Sequence, residues 1–229
     1  MVSHELKTPL VTISGYAEML KDESVLGALN QEQIHAVDTI SSQTVKLERL
    51  ISDIMDAQKM DLKRMKFNKR EFAVDDLMDE QIQIHSKIMV EKNIKFTNTT
   101  KEKLKINSDP DRLNQVFANL IKNAVDFVPE NGKIEINATR KNGDVVFYVK
   151  DNGKGIPKEK QDGLFKKFYQ IDTSLKRSHG GTGLGLVICK GITEALGGTI
   201  WLESEVGKGT TFYFQIPNNG STNQNQEEV

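Results

Sequence analysis

Cysteine is almost absent from this sequence, since Cys189 is the only one among 229 residues. One cysteine cannot form an intrachain disulfide, so the disulfide framework of small secreted domains is excluded and a reducing compartment is expected. No apolar run reaches the roughly 18 residues that a membrane-spanning helix needs. Ser3, His4 and Glu5 stand where a signal peptide would be apolar. The expected location is the cytoplasm, without membrane contact by this stretch, although a longer protein containing it could be membrane-anchored.

A strong excess of charge of one sign is also missing. The formal net charge is -1, with 31 basic and 32 acidic residues. No bulk attraction to nucleic acid or to a membrane surface is therefore expected. The basic run over residues 59–70 is interpreted as cations at a helix C-terminus followed by a solvated linker. With 37% hydrophobic and 28% charged residues, the composition is that of a folded globular protein.

Two apolar stripes of coiled-coil type are present in residues 1–66, where neighbouring members are three or four positions apart. They predict a helix from residue 1 and a second, longer helix from about Asn30 to about Met65. The first stripe is Leu6, Leu10, Ile13, Ala17 and Leu20, and the second is Val37, Ile40, Thr44, Leu47, Ile51 and Ile54. Two helices enclose little core, so a four-helix bundle made by a homodimer is favoured over packing on the rest of the chain. The first stripe is already running at residue 1, so we expect the chain to be part of a longer protein, cut inside this helix.

Beyond residue 66 the pattern changes to short strands and helices. Strands are predicted near 67–72, 94–99, 104–107, 133–140, 145–151, 199–204 and 210–216, and helices over about 74–91, 110–128 and 182–196. This order predicts an α+β fold over residues 67–217, a sandwich with helices on one face of a mixed sheet. The polar segment 218–229 is predicted to be a disordered tail.

Two polar clusters in this second region could bind a ligand. Asn119 and Asn123 are one turn apart on a predicted helix, and an amide oxygen is a suitable hard ligand for Mg²⁺. The segment "DNGKGIP" ends a strand, and its Asp151 could accept a hydrogen bond from a base amino group. Gly153 and Gly155 would let the backbone approach a ligand closely. Each cluster also has an ordinary interpretation, a polar helix face for the first and a simple turn for the second.

Two further segments surround a long loop over about 152–180. "FKKFYQ", residues 165–170, places aromatic residues in that loop, either as packing anchors or as a docking surface. "GGTGLGL", residues 180–186, opens a predicted helix, and a glycine-rich turn at a helix N-terminus binds phosphate through free N–H groups. It is not a Walker A motif, because no Gly-Lys-Ser/Thr follows. "VGKGTT" near residue 207 also fails that pattern and is interpreted as a hairpin turn.

The order of these segments is more specific than any one of them. The Asn pair, the "DNGKG" turn, the phenylalanine pair and the glycine turn resemble the N, G1, F and G2 boxes of sensor histidine kinases. "SHELKTPL" at residues 3–10 is similar to the H box of that family. The resemblance covers residues 1 to about 217. It implies a dimerisation and phosphotransfer hairpin over 1–66 and, over 67–217, an ATP-binding domain of the gyrase, MutL and histidine kinase type.

The resemblance also implies roles in the H box. His4 would be the phospho-acceptor, autophosphorylated from Mg-ATP, and the phosphoryl group would pass to an aspartate in the receiver domain of a response regulator. Glu5 would act as general base toward the imidazole, and Thr8 would orient the water that dephosphorylates the regulator. Pro9 cannot donate to the Glu5 carbonyl, so we expect a bend that loosens the helix beside His4.

In the second region the implied ligands are ATP and Mg²⁺. Asn123 would hold Mg²⁺, Asn119 would support the phosphates, and Asp151 would recognise the adenine amino group in a pocket shaped by Gly153 and Gly155. The phosphates would also be bound by Gly181, Thr182, Gly183, Leu184 and Gly185, at the end of a lid running from about 156 to 182. Asp126 and Gln170 depart from the family pattern, in which basic residues are common at these positions. Both departures weaken positive charge near the γ-phosphate, so turnover is the property they should affect.

Two rival functions remain open from the sequence. A degenerate kinase could bind nucleotide or a regulator as a scaffold, and Asp126 and Gln170 favour that reading slightly. An ATP-gated clamp of the gyrase or MutL type would hydrolyse ATP without a phospho-histidine, and it has no use for "SHELKTPL". Thr8 is in addition compatible with a kinase that acts mainly as a phosphatase.

Overall fold

The computed structural model describes residues 2–171 and 182–218, with side chains from residue 5 onward. The chain forms two compact units, Met1–Arg64 and Met65–Val229. Within the described residues, none of the helices combines the length and the apolar character needed to cross a membrane.

The first unit is a helical hairpin. Its helices are α1 Val2–Lys21, α2 Glu23–Leu26 and α3 Gln31–Asp61. Helix α3 starts after Asn30, as predicted, with a capping box in which the side chains of Asn30 and Gln33 each accept a backbone N–H of the other residue. The single-turn helix α2 was not predicted. Asp22 caps it by accepting the Ser24 amide at 3.0 Å.

Helix α3 ends at Asp61, four residues before the predicted end near Met65. The turn that stops it places Lys63 at φ +52. The Arg64 amide then donates to the Lys59 carbonyl at 2.8 Å and the Lys63 amide to Met60 at 2.9 Å. This is a C-terminal cap of the kind that usually contains glycine, and the lysine gave no such signal in the sequence.

Burial along both stripes alternates with a period of seven residues. Leu10 and Ala17 in α1, and Val37, Thr44 and Ile51 in α3, are buried within the hairpin. The intervening members stay exposed: Leu6 45%, Ile13 44%, Ile40 45%, Leu47 44% and Ile54 36%. Leu20, the last member of the first stripe, is half-buried. Part of each stripe therefore packs within the hairpin, and part of it is exposed.

The second unit is an α+β sandwich, as the sequence predicts. Its strands are β1 Arg70–Ala73, β2 Lys95–Asn98, β3 Lys105–Ser108, β4 Lys133–Lys141, β5 Asp144–Asp151, β6 Thr199–Glu205 and β7 Gly209–Ile216. Its helices are α4 Val74–Glu91, α5 Pro110–Phe127, α6 Lys158–Gln161 and α7 Gly185–Ala195. Five strands form one mixed sheet in the order β2-β4-β5-β7-β6, with β2 parallel to β4 and the remaining pairs antiparallel. The first and third strands pair separately as a small antiparallel ribbon, which was not predicted.

The core lies between the helices and one face of this sheet. Phe117 of α5 meets Phe147 of β5 edge-on at 5.8 Å between ring centroids, and it meets Phe214 of β7 at 5.1 Å. All three rings are fully buried. Cys189 is buried in α7, and its sulfur lies 3.7 Å from the Val116 carbonyl oxygen. Packing of α5 against β5 and β7 fixes the position of its polar side relative to the strand ends.

Two boundaries differ from prediction around the long loop. Helix α7 begins at Gly185, three residues later than expected, because residues 182–184 form the turn that precedes it. The short helix α6 lies in a segment interpreted as loop. The lid residues 172–181, including His179, and the tail residues 219–229 lie outside the described residues.

Candidate nucleotide-binding site

Asp151 is the last residue of β5, and its carboxylate is buried at the end of the strand. Its Oδ1 accepts the Gly153 amide at 2.7 Å and the Thr210 amide at 3.3 Å. Burial raises the pKa of Asp151 above its usual value, and the two amide hydrogen bonds oppose that rise. A buried carboxylate with one oxygen fixed by backbone donors keeps the other oxygen available as an acceptor.

The glycines after Asp151 are required by close packing. A Cβ on Gly153 would lie 2.7 Å from the carbonyl oxygen of Phe127, at the end of α5. Gly155 has φ +69, and a Cβ there would lie 2.0 Å from the carbonyl oxygen of Glu205. The loop is therefore held between α5 and the turn that joins β6 to β7.

That turn is "VGKGTT", and its prediction as a hairpin is confirmed. Its contribution to the site was not predicted. A Cβ on Gly209, at φ +101, would lie 2.0 Å from the Asp151 carbonyl oxygen. The Gly207 amide donates to the Lys154 carbonyl at 2.9 Å. The β6–β7 hairpin therefore packs against the "DNGKG" loop and hydrogen-bonds to it.

The two asparagines of α5 have different surroundings. Asn119 is buried, and its Nδ2 lies 3.5 Å from the Gly185 carbonyl oxygen, so it links α5 to the first residue of α7. Asn123 is half-buried, and no described residue hydrogen-bonds its amide. Its oxygen is therefore not engaged by the described residues, and its role as a Mg²⁺ ligand stays a prediction.

The acidic residue that departs from the family pattern is neutralised on its own helix. Asp126 accepts a salt bridge from Lys122 one turn earlier, at 2.9 Å between Nζ and Oδ2. The Asp126 side chain is only 18% exposed. The pair flanks Asn123 in the sequence, and its two charges cancel.

The glycine turn before α7 is joined to the phenylalanine segment. Gly183 has φ +69, and a Cβ there would lie 2.8 Å from Cα of Phe168. The Phe168 amide donates to the Gly183 carbonyl at 3.1 Å. The Thr182 hydroxyl accepts the Leu184 amide at 3.1 Å. The Leu184 side chain is buried in the core, so only its backbone can face a ligand, and Gly181 lies outside the described residues.

One exposed aromatic contact beside the site was missed from the sequence. The Phe127 ring is 50% exposed, and the Lys154 ammonium lies over it at 5.0 Å from the centroid. The signal available in the sequence was an aromatic residue one turn after Asn123 and at the end of the same helix.

The predicted residues of the H box lie on α1 in the first unit. Glu5 and Thr8 are both exposed. The Thr8 carbonyl accepts the Thr12 hydroxyl at 3.1 Å. Helix α1 continues through Pro9, so the proline does not end it. The backbone of His4 belongs to α1, and its side chain lies outside the described part of the structure.

Two family models match the chain. Residues 1–63 match the His Kinase A (phospho-acceptor) domain. Residues 108–220 match the histidine kinase-, DNA gyrase B- and HSP90-like ATPase. The two matches correspond to the helical hairpin and to most of the sandwich.

Curated relatives align over nearly the whole chain. Sensor histidine kinase WalK of Bacillus subtilis is 34% identical over 221 residues, 94% of this chain and 35% of WalK. Circadian input-output histidine kinase CikA of Synechococcus elongatus is 34% identical over 222 residues, 94% of this chain and 29% of CikA. The chain therefore spans about a third of the length of these relatives.

Solved structures share the fold. Full-length ShkA in complex with AMPPNP superposes with a TM-score of 0.81 at 28% identity, over 94% of this chain and 44% of ShkA. Histidine kinase ThkA in complex with the response regulator protein TrrA has a TM-score of 0.65 at 27% identity, over 95% of this chain and 60% of that chain. With the two family matches in the order in which the hairpin and the sandwich follow each other, this chain belongs to the sensor histidine kinases and comprises their phospho-acceptor and ATP-binding regions.

Proposed function

We propose that this chain is an ATP-dependent protein-histidine kinase that phosphorylates His4 and then an aspartate in the receiver domain of a response regulator. The observation that carries the proposal is the buried Asp151 beside a loop that closes on α5 and on the β6–β7 turn. A carboxylate held in this way suits recognition of a base amino group. The complex of full-length ShkA with AMPPNP, which superposes over 94% of this chain, supports ATP as the ligand.

The phosphate end of the site is built by α5 and by the start of α7. Asn123 would hold Mg²⁺ through its free amide oxygen, and Asn119 would orient the turn at Gly185. The metal would supply neutralisation of phosphate charge. The N-terminus of α7 adds backbone N–H groups directed at an anion. Phosphoryl transfer needs positioning and charge stabilisation more than side-chain chemistry, and this short set of residues fits that requirement.

The reaction at His4 balances without a further reactant. One imidazole nitrogen attacks the γ-phosphorus of ATP, the bond from that phosphorus to the β–γ bridging oxygen breaks, and ADP leaves. Glu5 takes the proton from the other imidazole nitrogen. The phosphoryl group is then transferred to the receiver aspartate, which regenerates neutral His4. Thr8, exposed one turn from His4, would position the water that hydrolyses the regulator's phospho-aspartate and releases inorganic phosphate.

A homodimer accounts for the unburied half of each apolar stripe. Leu6 and Ile13 of α1 face solvent with Ile40, Leu47 and Ile54 of α3, at every second stripe position. A second hairpin would bury all of them in a four-helix bundle. The ThkA–TrrA complex supports a receiver domain as the protein partner, and ATP and a receiver domain are both available in the cytoplasm, where we place the reaction.

The alternative is a degenerate kinase that acts as a scaffold. The departure at Asp126 favours it, but the salt bridge from Lys122 neutralises that carboxylate. Close packing at Gly153 and Gly155 argues for a binding loop that has been retained. An ATP-gated clamp leaves the first unit without a role.

The deciding experiment is incubation with Mg²⁺ and γ-labelled ATP. The native chain should acquire an acid-labile, alkali-stable label that His4→Gln lacks. His35→Gln is the matched control, because His35 is also a helical histidine of the first unit and is exposed on α3. A label that persists in His4→Gln would reject the acceptor assignment. ATP binding without any label in the native chain would favour the scaffold.

A further inference from the structure

A continuous set of hydrogen bonds runs from Asp151 to the start of the lid. It begins with the Thr210 amide, which donates to Asp151 Oδ1 at 3.3 Å. The hydroxyls of Thr210 and Ser204 lie 2.8 Å apart. Ser204 also accepts the Ile156 amide at 2.8 Å. Two residues of the β6–β7 pair thereby connect the end of β5 to the loop that follows "DNGKG".

Gln161 completes this set on the lid side. It is the last residue of α6, and its Nε2 donates to the Ile156 carbonyl at 2.8 Å and to the Ser204 carbonyl at 3.1 Å. Both hydrogens of its amide nitrogen are therefore used. The single-turn helix α6 is too short to be stable alone, so these bonds are what position it.

The hydrogen bonds of the Ser204 hydroxyl determine which neighbouring groups donate to it and which accept from it. The Ser204 hydroxyl also lies 3.0 Å from the Gly209 carbonyl oxygen, to which it can only donate. With its hydrogen used there, Ser204 accepts from both the Ile156 amide and the Thr210 hydroxyl, which fills its capacity. Loss of the Ser204 hydroxyl would leave partly buried donors on both neighbours without an acceptor.

We propose that Ser204 and Gln161 are positioning residues that couple base recognition at Asp151 to the position of α6. We call the set Asp151, Thr210, Ser204, Ile156 and Gln161 the Asp151–Gln161 relay. The proposal rests on the proposed function, because it takes the base to be adenine. Movement of Asp151 toward a base shifts the Thr210 amide and Ser204, and Ser204 and Gln161 carry the shift to α6.

The first test needs no nucleotide. Amide hydrogen exchange in the unliganded chain should be about two- to tenfold faster at Gly153 and Thr210 in Gln161→Met than in the native chain, in addition to faster exchange at Ile156. Methionine keeps the length of glutamine and removes both of its hydrogen bonds. Faster exchange confined to Ile156 and α6 would overturn the relay. Tyr213→Phe is the control, because it removes a hydrogen bond to Glu203 between the same two strands, outside the relay.

The second test is calorimetric binding of ATP and of inosine triphosphate, which lacks the exocyclic amino group. In Ser204→Ala, ATP affinity should fall about two- to tenfold and inosine triphosphate affinity should fall less, so that base selectivity drops. Ser204→Thr keeps the hydroxyl and should restore selectivity. In the double variant Ser204→Ala/Gln161→Met, the loss of ATP affinity should be smaller than the product of the two single losses.

Equal loss for both nucleotides, or a double variant whose loss equals the product, would overturn the proposed coupling. Absence of ATP binding by the native chain, together with coupled amide exchange, would instead reject the proposed function and leave the relay as a structural link. The two failures are therefore distinguishable in one set of samples.

Discussion

At the scale of single residues, burial of the Asp151 carboxylate has a cost in folding stability. Its carboxylate is buried, and among the described residues its hydrogen-bond donors are two backbone amides, so dipoles rather than a cation favour its charge. Burial raises its pKa above the usual 3.8. The folded domain then holds the proton more tightly than the unfolded chain, and folding stability falls as pH rises from 3.8 through the raised pKa.

Asp151→Asn is therefore expected to stabilise the unliganded domain at pH 7 while it weakens ATP binding at least about tenfold. The asparagine oxygen can still accept the Gly153 and Thr210 amides, and no buried charge remains. Thermal unfolding between pH 7 and pH 4 should show a gain that shrinks toward acid, as the native carboxyl becomes neutral. Asp144→Asn on the same strand, where the carboxylate is half-exposed and accepts from Gln215, should show no such gain. A stabilisation independent of pH would contradict the assigned cause.

Gly155 provides a second test at this scale, because it combines a left-handed backbone with a close approach. Gly155→Ala places a Cβ 2.0 Å from the Glu205 carbonyl oxygen at φ +69. Gly143→Ala has φ +91 with nothing within 4 Å, so it carries the backbone cost alone, about 1–2 kcal/mol. Gly155→Ala should lower the free energy of unfolding by clearly more than this and should abolish ATP binding, whereas Gly143→Ala should bind normally. Denaturant titration and calorimetry measure both effects, and equal destabilisation by the two variants would refute the close-packing argument.

At the scale of elements, local signals predicted helices and strands well, and long-range contacts decided what was missed. The predicted start of α5 at residue 110 is confirmed, and there Asp109 caps the helix and Pro110 follows it. The predicted C-terminal end of α3 and the predicted start of α7 were wrong by three or four residues, since one is set by Lys63 at positive φ and the other by Gly183 packing on Phe168. Neither the positive φ of Lys63 nor the contact between Gly183 and Phe168 can be predicted from the local sequence pattern.

The candidate site also contains residues that local sequence signals could identify and contacts that they could not. Asp151, Asn123 and the glycines could be chosen from the sequence, because their residue types and order carry the chemistry. The support from the β6–β7 turn could not, since Gly209 meets Asp151 only when two strands far apart in sequence are paired. The Asp151–Gln161 relay was unpredictable for the same reason, as it joins a loop, two strands and a short helix.

Pro9 is the element-scale feature with the clearest consequence for activity. A proline in a helix interior is about 3 kcal/mol less favourable than alanine. Pro9→Ala should therefore raise the melting temperature of the hairpin and, by restoring a donor to the Glu5 carbonyl, lower autophosphorylation and phosphatase rates severalfold. Gly15→Ala is the control, since it strengthens α1 by about 1 kcal/mol without touching that carbonyl, and its methyl meets nothing within 4 Å. Unchanged rates in Pro9→Ala would reject the proposed loosening beside His4.

At the scale of the whole molecule, each of the two units would carry a different part of the proposed reaction. The sandwich has its own buried core around Phe117, Phe147 and Phe214 and needs no second copy to complete it. The hairpin has no comparable core, because half of each stripe is exposed. ATP binding should thus be independent of assembly, and phosphorylation of His4 should depend on it.

Leu47→Glu tests that division. Leu47 is 44% exposed on the stripe of α3. A dimer would bury one Leu47 from each chain, and each buried side chain would contribute roughly 1.5–3 kcal/mol to the stability of the dimer. The dimer dissociation constant should therefore rise by at least about a hundredfold, and sedimentation velocity should find monomers at micromolar concentration. Autophosphorylation should fall with the dimer fraction, while calorimetry should give native ATP affinity. Val45→Glu is the matched control, because Val45 is 59% exposed on the same helix but lies outside the stripe. If Leu47→Glu stayed dimeric, the exposed half of the stripe would not be the dimer interface, and the four-helix bundle would be wrong.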